Sequence, residues 1–206
     1  MTIPLGPRIY LASRSPRRRE LLSLMGVQFE TLLFRNPPRA DRAVDESVLA
    51  SEDPVDYVKR VARAKAEHGL KLVVWRRQAV QPIMAADTTV ECDGEILGKP
   101  TDEADARRML ELLSGRRHRV LTAVSLAWSG HIETILSESF VHFRPLEESE
   151  ISRYVSSGEP MDKAGAYGIQ GKAGMFVSHL EGSYTGVMGL PLCETGELLK
   201  KAGYPL

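Results

Sequence analysis

Two hydroxyls, a proline and paired arginines crowd into Ser13-Arg14-Ser15-Pro16-Arg17-Arg18, directly after the apolar run Ile9-Tyr10-Leu11-Ala12. Ser15 is an N-cap residue type, and Pro16 suits the first helical position, where a missing N–H costs nothing. The remaining N–H groups and the positive end of the helix dipole then face whatever lies beyond the strand. With arginines added, this is the chemistry of phosphate binding. Two lysines extend it. Lys65 falls on the apolar stripe of a second helix, Val55, Val58, Val61 and Ala62, so it either snorkels outward or meets an anion. Lys99, in Gly98-Lys99-Pro100, is not part of a P-loop, because the upstream glycine and following hydroxyl are missing. It is either an exposed loop lysine or a point charge for a phosphate.

Acids complete the set. Asp87 is expected where a buried apolar strand, Ile83-Met84-Ala85-Ala86, stops. Ligands collect at the carboxyl ends of strands in α/β sheets. A carboxylate there suits a divalent metal, or orients and deprotonates a water, or simply caps a turn. Asp45-Glu46 is a second acidic pair, with a solvated surface pair as the alternative. In Asp162-Lys163-Ala164-Gly165-Ala166-Tyr167-Gly168-Ile169-Gln170-Gly171, the glycines permit close backbone approach to a ligand. Gln170 carries both a donor and an acceptor, as reading a base edge requires. The alternative is a flexible hairpin. The five histidines show no shared ligand spacing, which argues against zinc.

The elements that must hold these residues alternate between helix and strand. Residues 9–12 read as a buried strand, 16–25 as a helix stopped by Gly26, and 27–33 as extended. Asn36-Pro37-Pro38-Arg39-Ala40-Asp41-Arg42 reads as loop. Asp53-Pro54 opens a helix ending near Gly69. Asp93-Gly94 signals a tight hairpin. A helix spans 102–113 between a Thr101 cap and Gly115. Strands at 118–128 and 132–143 turn at Ser129-Gly130. A helix at 147–156, a strand near 175–180 and a helix from Pro191 to Ala202 follow. The pattern predicts an α/β fold with a mixed sheet.

Composition narrows the function. The chain has 206 residues, 27 basic and 27 acidic side chains and net charge +0, so it presents no general nucleic-acid or membrane surface. Two distant cysteines fit a reducing compartment. No run approaches a membrane span and no signal peptide is evident, so a soluble cytoplasmic protein is expected.

Taken in order, these segments resemble the Maf family of nucleoside triphosphate pyrophosphatases. The matching blocks are Leu11 to Arg18, Val61 to Ala66, Ala86-Asp87-Thr88-Thr89-Val90, Gly98-Lys99-Pro100, Leu113-Ser114-Gly115 and Gly158 to Gly171. Gly182-Ser183-Tyr184 and Val187 to Pro191 complete them, so the resemblance runs over nearly the whole chain. It implies an elongated mixed β-sheet flanked by helices, with two lobes around a central cleft, related to the ITPase fold. It implies one domain over 1–206. The implied reaction cleaves a nucleoside triphosphate between the α and β phosphates with a divalent cation, Mg2+ or Mn2+, in a cytoplasmic homodimer.

The resemblance also distributes roles. Asp87 takes the proton-acceptor position, and Lys99 and Glu46 join it as catalytic candidates. Ser13, Ser15, Arg18, Lys65 and Lys99 bind phosphate. Arg17, Thr88 and Gln170 fall at base-selectivity positions. Asp87 and Glu46 hold the metal, with Asp45-Glu46 aligned to the family's acidic pair beyond a path lengthened between Phe34 and Arg42. The glycine-rich block is similar to the subgroup acting on dTTP and UTP. The rivals are the same reaction on a modified purine or pyrimidine nucleotide, and a nucleotide-sensing regulator of septum formation. Binding of nucleic acid or membrane is not expected.

Overall fold

The computed structural model of the protein describes residues 8–34 and 44–206. The proline-rich stretch read as loop, Asn36 to Arg42, lies outside them. The backbone forms a mixed α/β fold. Seven strands make one sheet: β1 (Ile9–Leu11), β2 (Phe29–Thr31), β3 (Ile83–Cys92), β4 (Glu95–Leu97), β5 (Arg117–Trp128), β6 (His131–Phe143) and β7 (Val177–Glu181). Among the described residues six α-helices flank it: α1 (Pro16–Leu24), α2 (Pro54–Trp75), α3 (Glu103–Leu113), α4 (Glu148–Ser156), α5 (Tyr184–Met188) and α6 (Leu192–Lys201). The sheet order is β2-β1-β3-β5-β6-β7, with β4 paired to β3. β1 runs parallel to β2 and β3, whereas the β3–β4 and β6–β7 pairs are antiparallel.

Contacts divide the chain into two compact units. The first comprises residues up to Asp87, Ala123–Leu136 and Leu192–Leu206; the second comprises Thr88–Thr122 and Ser137–Pro191. The first has a core built from Tyr10, Ala12, Leu32, Ala66, Val73, Ile83, Ala85 and Ala127. The second is organised around Val90, Leu97, Leu110, Val141, Tyr154, Tyr167 and Phe176. Cys92 is buried and Cys193 exposed, and both are free thiols.

The local signals hold at α1, where Ser15 accepts from the Arg18 amide and Pro16 opens the helix. Elsewhere the structure corrects the reading. α2 does not stop near Gly69 but runs to Trp75, because Leu72 and Val73 continue its buried stripe. Gly69 serves close packing instead: a Cβ there would stand 2.9 Å from Ile83 Cγ2. β3 does not end at Asp87. Thr88, Thr89 and Val90 are β-branched and extend the strand to Cys92. The Asp93-Gly94 turn, with φ of 51° and 84°, then folds β4 back onto it. Asp87 is therefore a mid-strand residue. The cap of α3 is Asp102, whose carboxylate accepts from the Asp105 amide at 2.8 Å, and not Thr101. The five-residue α5 is too short to show a period, and the sequence reading missed it.

His118 is a core residue of the second unit, 2% exposed, with Nε2 2.8 Å from the Tyr167 hydroxyl. Burial lowers its pKa to about 4. Between the ordinary value of 6.5 and about 4, the unfolded chain takes up a proton that the folded chain refuses. Stability should therefore be full above pH 6.5 and fall as the pH drops toward 4, by on the order of 3 kcal/mol. Urea titrations across that window should show the fall in the wild type and a shallower one in His118→Gln. Equal slopes would remove His118 as the cause.

Candidate active site

The first unit gathers most of the predicted residues. Ser13 lies just beyond β1 and Ser15 caps α1. Ser13 Oγ accepts from the Ser15 amide at 3.2 Å and stands 3.5 Å from Arg18 Nη1. With both lone pairs engaged, its O–H remains to donate to an anion. Arg18 also donates to the Ala86 carbonyl at 2.8 Å, which ties α1 to β3 one residue before Asp87. Burial lowers the Arg18 pKa, as does the charge of Arg17, while Asp87 and Glu46 oppose the shift. An arginine stays charged regardless, so this is a poorly solvated cation near two carboxylates.

Lys65 decides between its two readings in favour of an anion. Its Nζ stands 2.8 Å from Asp87 Oδ1 and 3.0 Å from Glu46 Oε2. Its side chain is only 14% exposed, and that of Asp87 12%. One ammonium thus draws together a mid-strand carboxylate and a loop carboxylate that are far apart in sequence. The same pair suits a divalent cation such as Mg2+, which takes one or two carboxylates and completes its shell with waters and phosphate oxygens. Among the described residues no group of three or more His, Cys, Asp or Glu side chains is placed to hold a metal.

Tyr57 belongs to this cluster although the sequence reading passed over it. It is 8% exposed, and its hydroxyl donates to the Glu46 carbonyl at 3.0 Å. Burial, with the charges of Asp87 and Glu46 adding to it, pushes its pKa up to about 12, so the phenol stays a donor. On α2 it sits beside Val58 and one turn before Val61, so periodicity marks it only as core.

Thr88, Lys99 and Gln170 belong to the second unit. Thr88 Oγ1 lies 2.9 Å from Thr122 Oγ1, which donates onward to the Gly186 carbonyl at 2.8 Å. Lys99 is exposed after β4. Its neighbour Gly98 accepts from the Gly165 amide at 3.0 Å, which links it to the glycine-rich block. That block forms short 3-10 turns at Glu159–Asp162, Ala164–Ala166 and Lys172–Phe176, with Gly165 to Ile169 buried and Gln170 exposed. Glu159 stabilises it by accepting from the Lys172 amide at 3.1 Å and the Tyr154 hydroxyl at 3.2 Å. A Cβ on Gly171 would fall 2.0 Å from Glu159 Oε1, so a larger residue there would displace the Glu159 carboxylate from the turn. This hydrogen-bonded turn replaces the flexible hairpin that the sequence also allowed.

A family model described as Maf-like protein matches residues 8–202. The chain belongs to the Maf family. It is 61% identical over 197 residues to a dTTP/UTP pyrophosphatase of Dechloromonas aromatica (strain RCB), covering 96% of this chain and 98% of that one. It is 54% identical over 204 residues to a dTTP/UTP pyrophosphatase of Aromatoleum aromaticum (strain DSM 19018 / LMG 30748 / EbN1), covering 98% and 99%. Among solved structures, that of the Staphylococcus aureus Ham1 protein matches with a TM-score of 0.45 and 16% identity, over 66% of this chain and 71% of that one. No helix among the described residues of this Maf-family chain is long and apolar enough to cross a membrane.

Proposed function

We propose that this chain is a nucleoside triphosphate pyrophosphatase that hydrolyses dTTP and UTP to the monophosphate and pyrophosphate. The observation that carries this reading is the pair of carboxylates, Glu46 and Asp87, converging on the Lys65 ammonium. The residues of α1 read as phosphate-binding support it, since Arg18 donates to the Ala86 carbonyl, one residue before Asp87. The names of relatives at 54–61% identity support the substrate.

In this reading the Ser13 hydroxyl donates to a phosphate oxygen, and Ser15, which caps α1, helps position the triphosphate. Arg17, Arg18, Lys65 and Lys99 neutralise the triphosphate. Lys65 can exchange a carboxylate partner for a phosphate oxygen without leaving its place. Asp87 orients and deprotonates the attacking water. Asp87 and Glu46 would hold the divalent cation, which supplies charge neutralisation and polarises the phosphoryl group when bound. Most of the rate gain is electrostatic, as is usual for phosphoryl transfer.

Arg17, Thr88 and Gln170 select the base. Thymine and uracil share the O4 acceptor and the N3 donor, so one amide serves both, and the 5-methyl group adds little discrimination. The enzyme acts as one domain, and by the same family likeness as a cytoplasmic homodimer.

Pyrophosphate release measured on dTTP, UTP, CTP and methylated nucleotides, with Mg2+ and Mn2+, tests the reading. The wild type should favour dTTP and UTP. Gln170→Ala should lose about 10- to 100-fold in kcat/KM on these two and most of its preference over CTP. A preference for purines in the wild type would overturn the assignment of Gln170.

A further inference from the structure

Glu46 reaches Lys65 from a segment that the core does not hold. Residues 45–50 are exposed, Val48 and Leu49 by 48% and 52%, so burial of apolar surface does not explain where the segment lies. Hydrogen bonds from α2 do. Tyr57 donates to the Glu46 carbonyl at 3.0 Å. One turn further along, Arg60 donates from Nη2 to the Ser47 carbonyl at 2.8 Å and from Nη1 toward the Asp45 carbonyl at 3.4 Å. Three successive carbonyls are thus gripped from one face of one helix.

The guanidinium is itself aimed by Glu52. Arg60 Nε and Nη2 meet the two Glu52 oxygens at 2.5 and 2.8 Å, a bidentate pairing. Glu52 Oε2 also accepts from the Leu49 amide at 3.0 Å, which closes the far end of the segment. At the near end, Asp45 Oδ1 accepts from the Ser47 amide and hydroxyl at 2.9 and 2.6 Å, forming a tight local turn. The bonds from Tyr57 and Arg60 to residues 45–47 all end on backbone carbonyls. The grip therefore sets the path of the chain and leaves the Glu46 side chain free to reach Lys65.

We propose that Arg60, aimed by Glu52 and assisted by Tyr57, is a positioning residue that carries Glu46 to Lys65 and Asp87. This rests on the catalytic reading of Glu46 given above. Helix α2 then supplies both the lysine that binds Glu46 and the clamp that delivers it.

The test compares Arg60→Met, Glu52→Gln, Glu46→Gln and the Arg60→Met/Glu46→Gln double variant in pyrophosphate release from UTP. Amide hydrogen exchange of the peptide spanning 44–52 is followed in parallel. Arg60→Met should lose about 10- to 100-fold in kcat/KM, the size typical of a group that orients a metal ligand. Glu52→Gln should fall between it and the wild type. Exchange in the 44–52 peptide should quicken in Arg60→Met while Tm stays close to that of the wild type. In the Glu46→Gln background the loss of Arg60 should cost less than about twofold, because coupled residues are not additive. Arg60→Lys, which can keep one carbonyl contact, should recover part of the activity.

Additive losses, or activity within about twofold of wild type in Arg60→Met while Glu46→Gln is impaired, would overturn the proposal alone. A fully active Glu46→Gln would overturn the reading of Glu46, and this proposal with it.

Discussion

Asp87→Asn is expected to lower kcat by about 10²- to 10⁴-fold, the usual loss on removing a positioned general base. The fold should survive the change. Asparagine matches the volume of aspartate and can still accept from Lys65 through its carbonyl oxygen. Lys65 also keeps Glu46, 3.0 Å away, so no buried cation is left unpaired. That arrangement separates the chemistry from the stability, because breaking a buried ion pair is severe mainly when one charge is orphaned. Pyrophosphate release and a thermal melt on the same preparation check both halves. Near-normal turnover would remove Asp87 from the centre of the mechanism. A collapsed Tm would instead make it a structural residue.

Gly165→Ala should be among the most destabilising single substitutions in the second unit, by about 2–4 kcal/mol. Its φ of 66° lies in the left-handed region, which costs an alanine roughly 1–2 kcal/mol. A Cβ would also stand 2.7 Å from Val90 Cγ2 and 2.9 Å from Val90 Cβ, and overpacking of this kind typically costs about 1–3 kcal/mol. Gly26→Ala provides the control. Its φ is 74°, with nothing within 4 Å of the added carbon, so it incurs only the backbone cost. Urea melts of the two variants give the packing contribution as a difference. Equal losses would show that the Val90 contact relaxes freely.

The consequence for function runs through the same glycine. Its amide bonds to Gly98, beside Lys99, and it begins the buried run that leads to Gln170. Disturbing Gly165 should therefore shift the residues proposed to select the base and meet the phosphates, as well as the stability.

Short-range chemistry was readable from the residues alone. Ser15 and Pro16 at the start of α1, Asp53 and Pro54 at the start of α2 and the Asp93-Gly94 hairpin each act within a few residues. The ordered blocks from Leu11 to Pro191 likewise carried the likeness to the Maf family, which the matched residues 8–202 bear out. Where a short-range cue competed with packing, packing won. Gly69 read as a helix stop, but it lets α2 approach Ile83. Asp87 read as a strand end, but the β-branched residues after it and the pairing with β4 carry the strand onward.

What tertiary structure alone decided is the partnership of Lys65. Its place on an apolar stripe fits a snorkelling lysine as well as an anion partner, because helical period tells which way a side chain points and not what it meets. The two carboxylates come from a strand and a loop remote in sequence. Glu46 is held there by backbone carbonyls, which every residue type possesses, so no pattern of side chains could announce the clamp. The residues and their order identified the family, and its chemistry as an expectation; folding determined which charges share a site, since that depends on distances that sequence spacing does not encode.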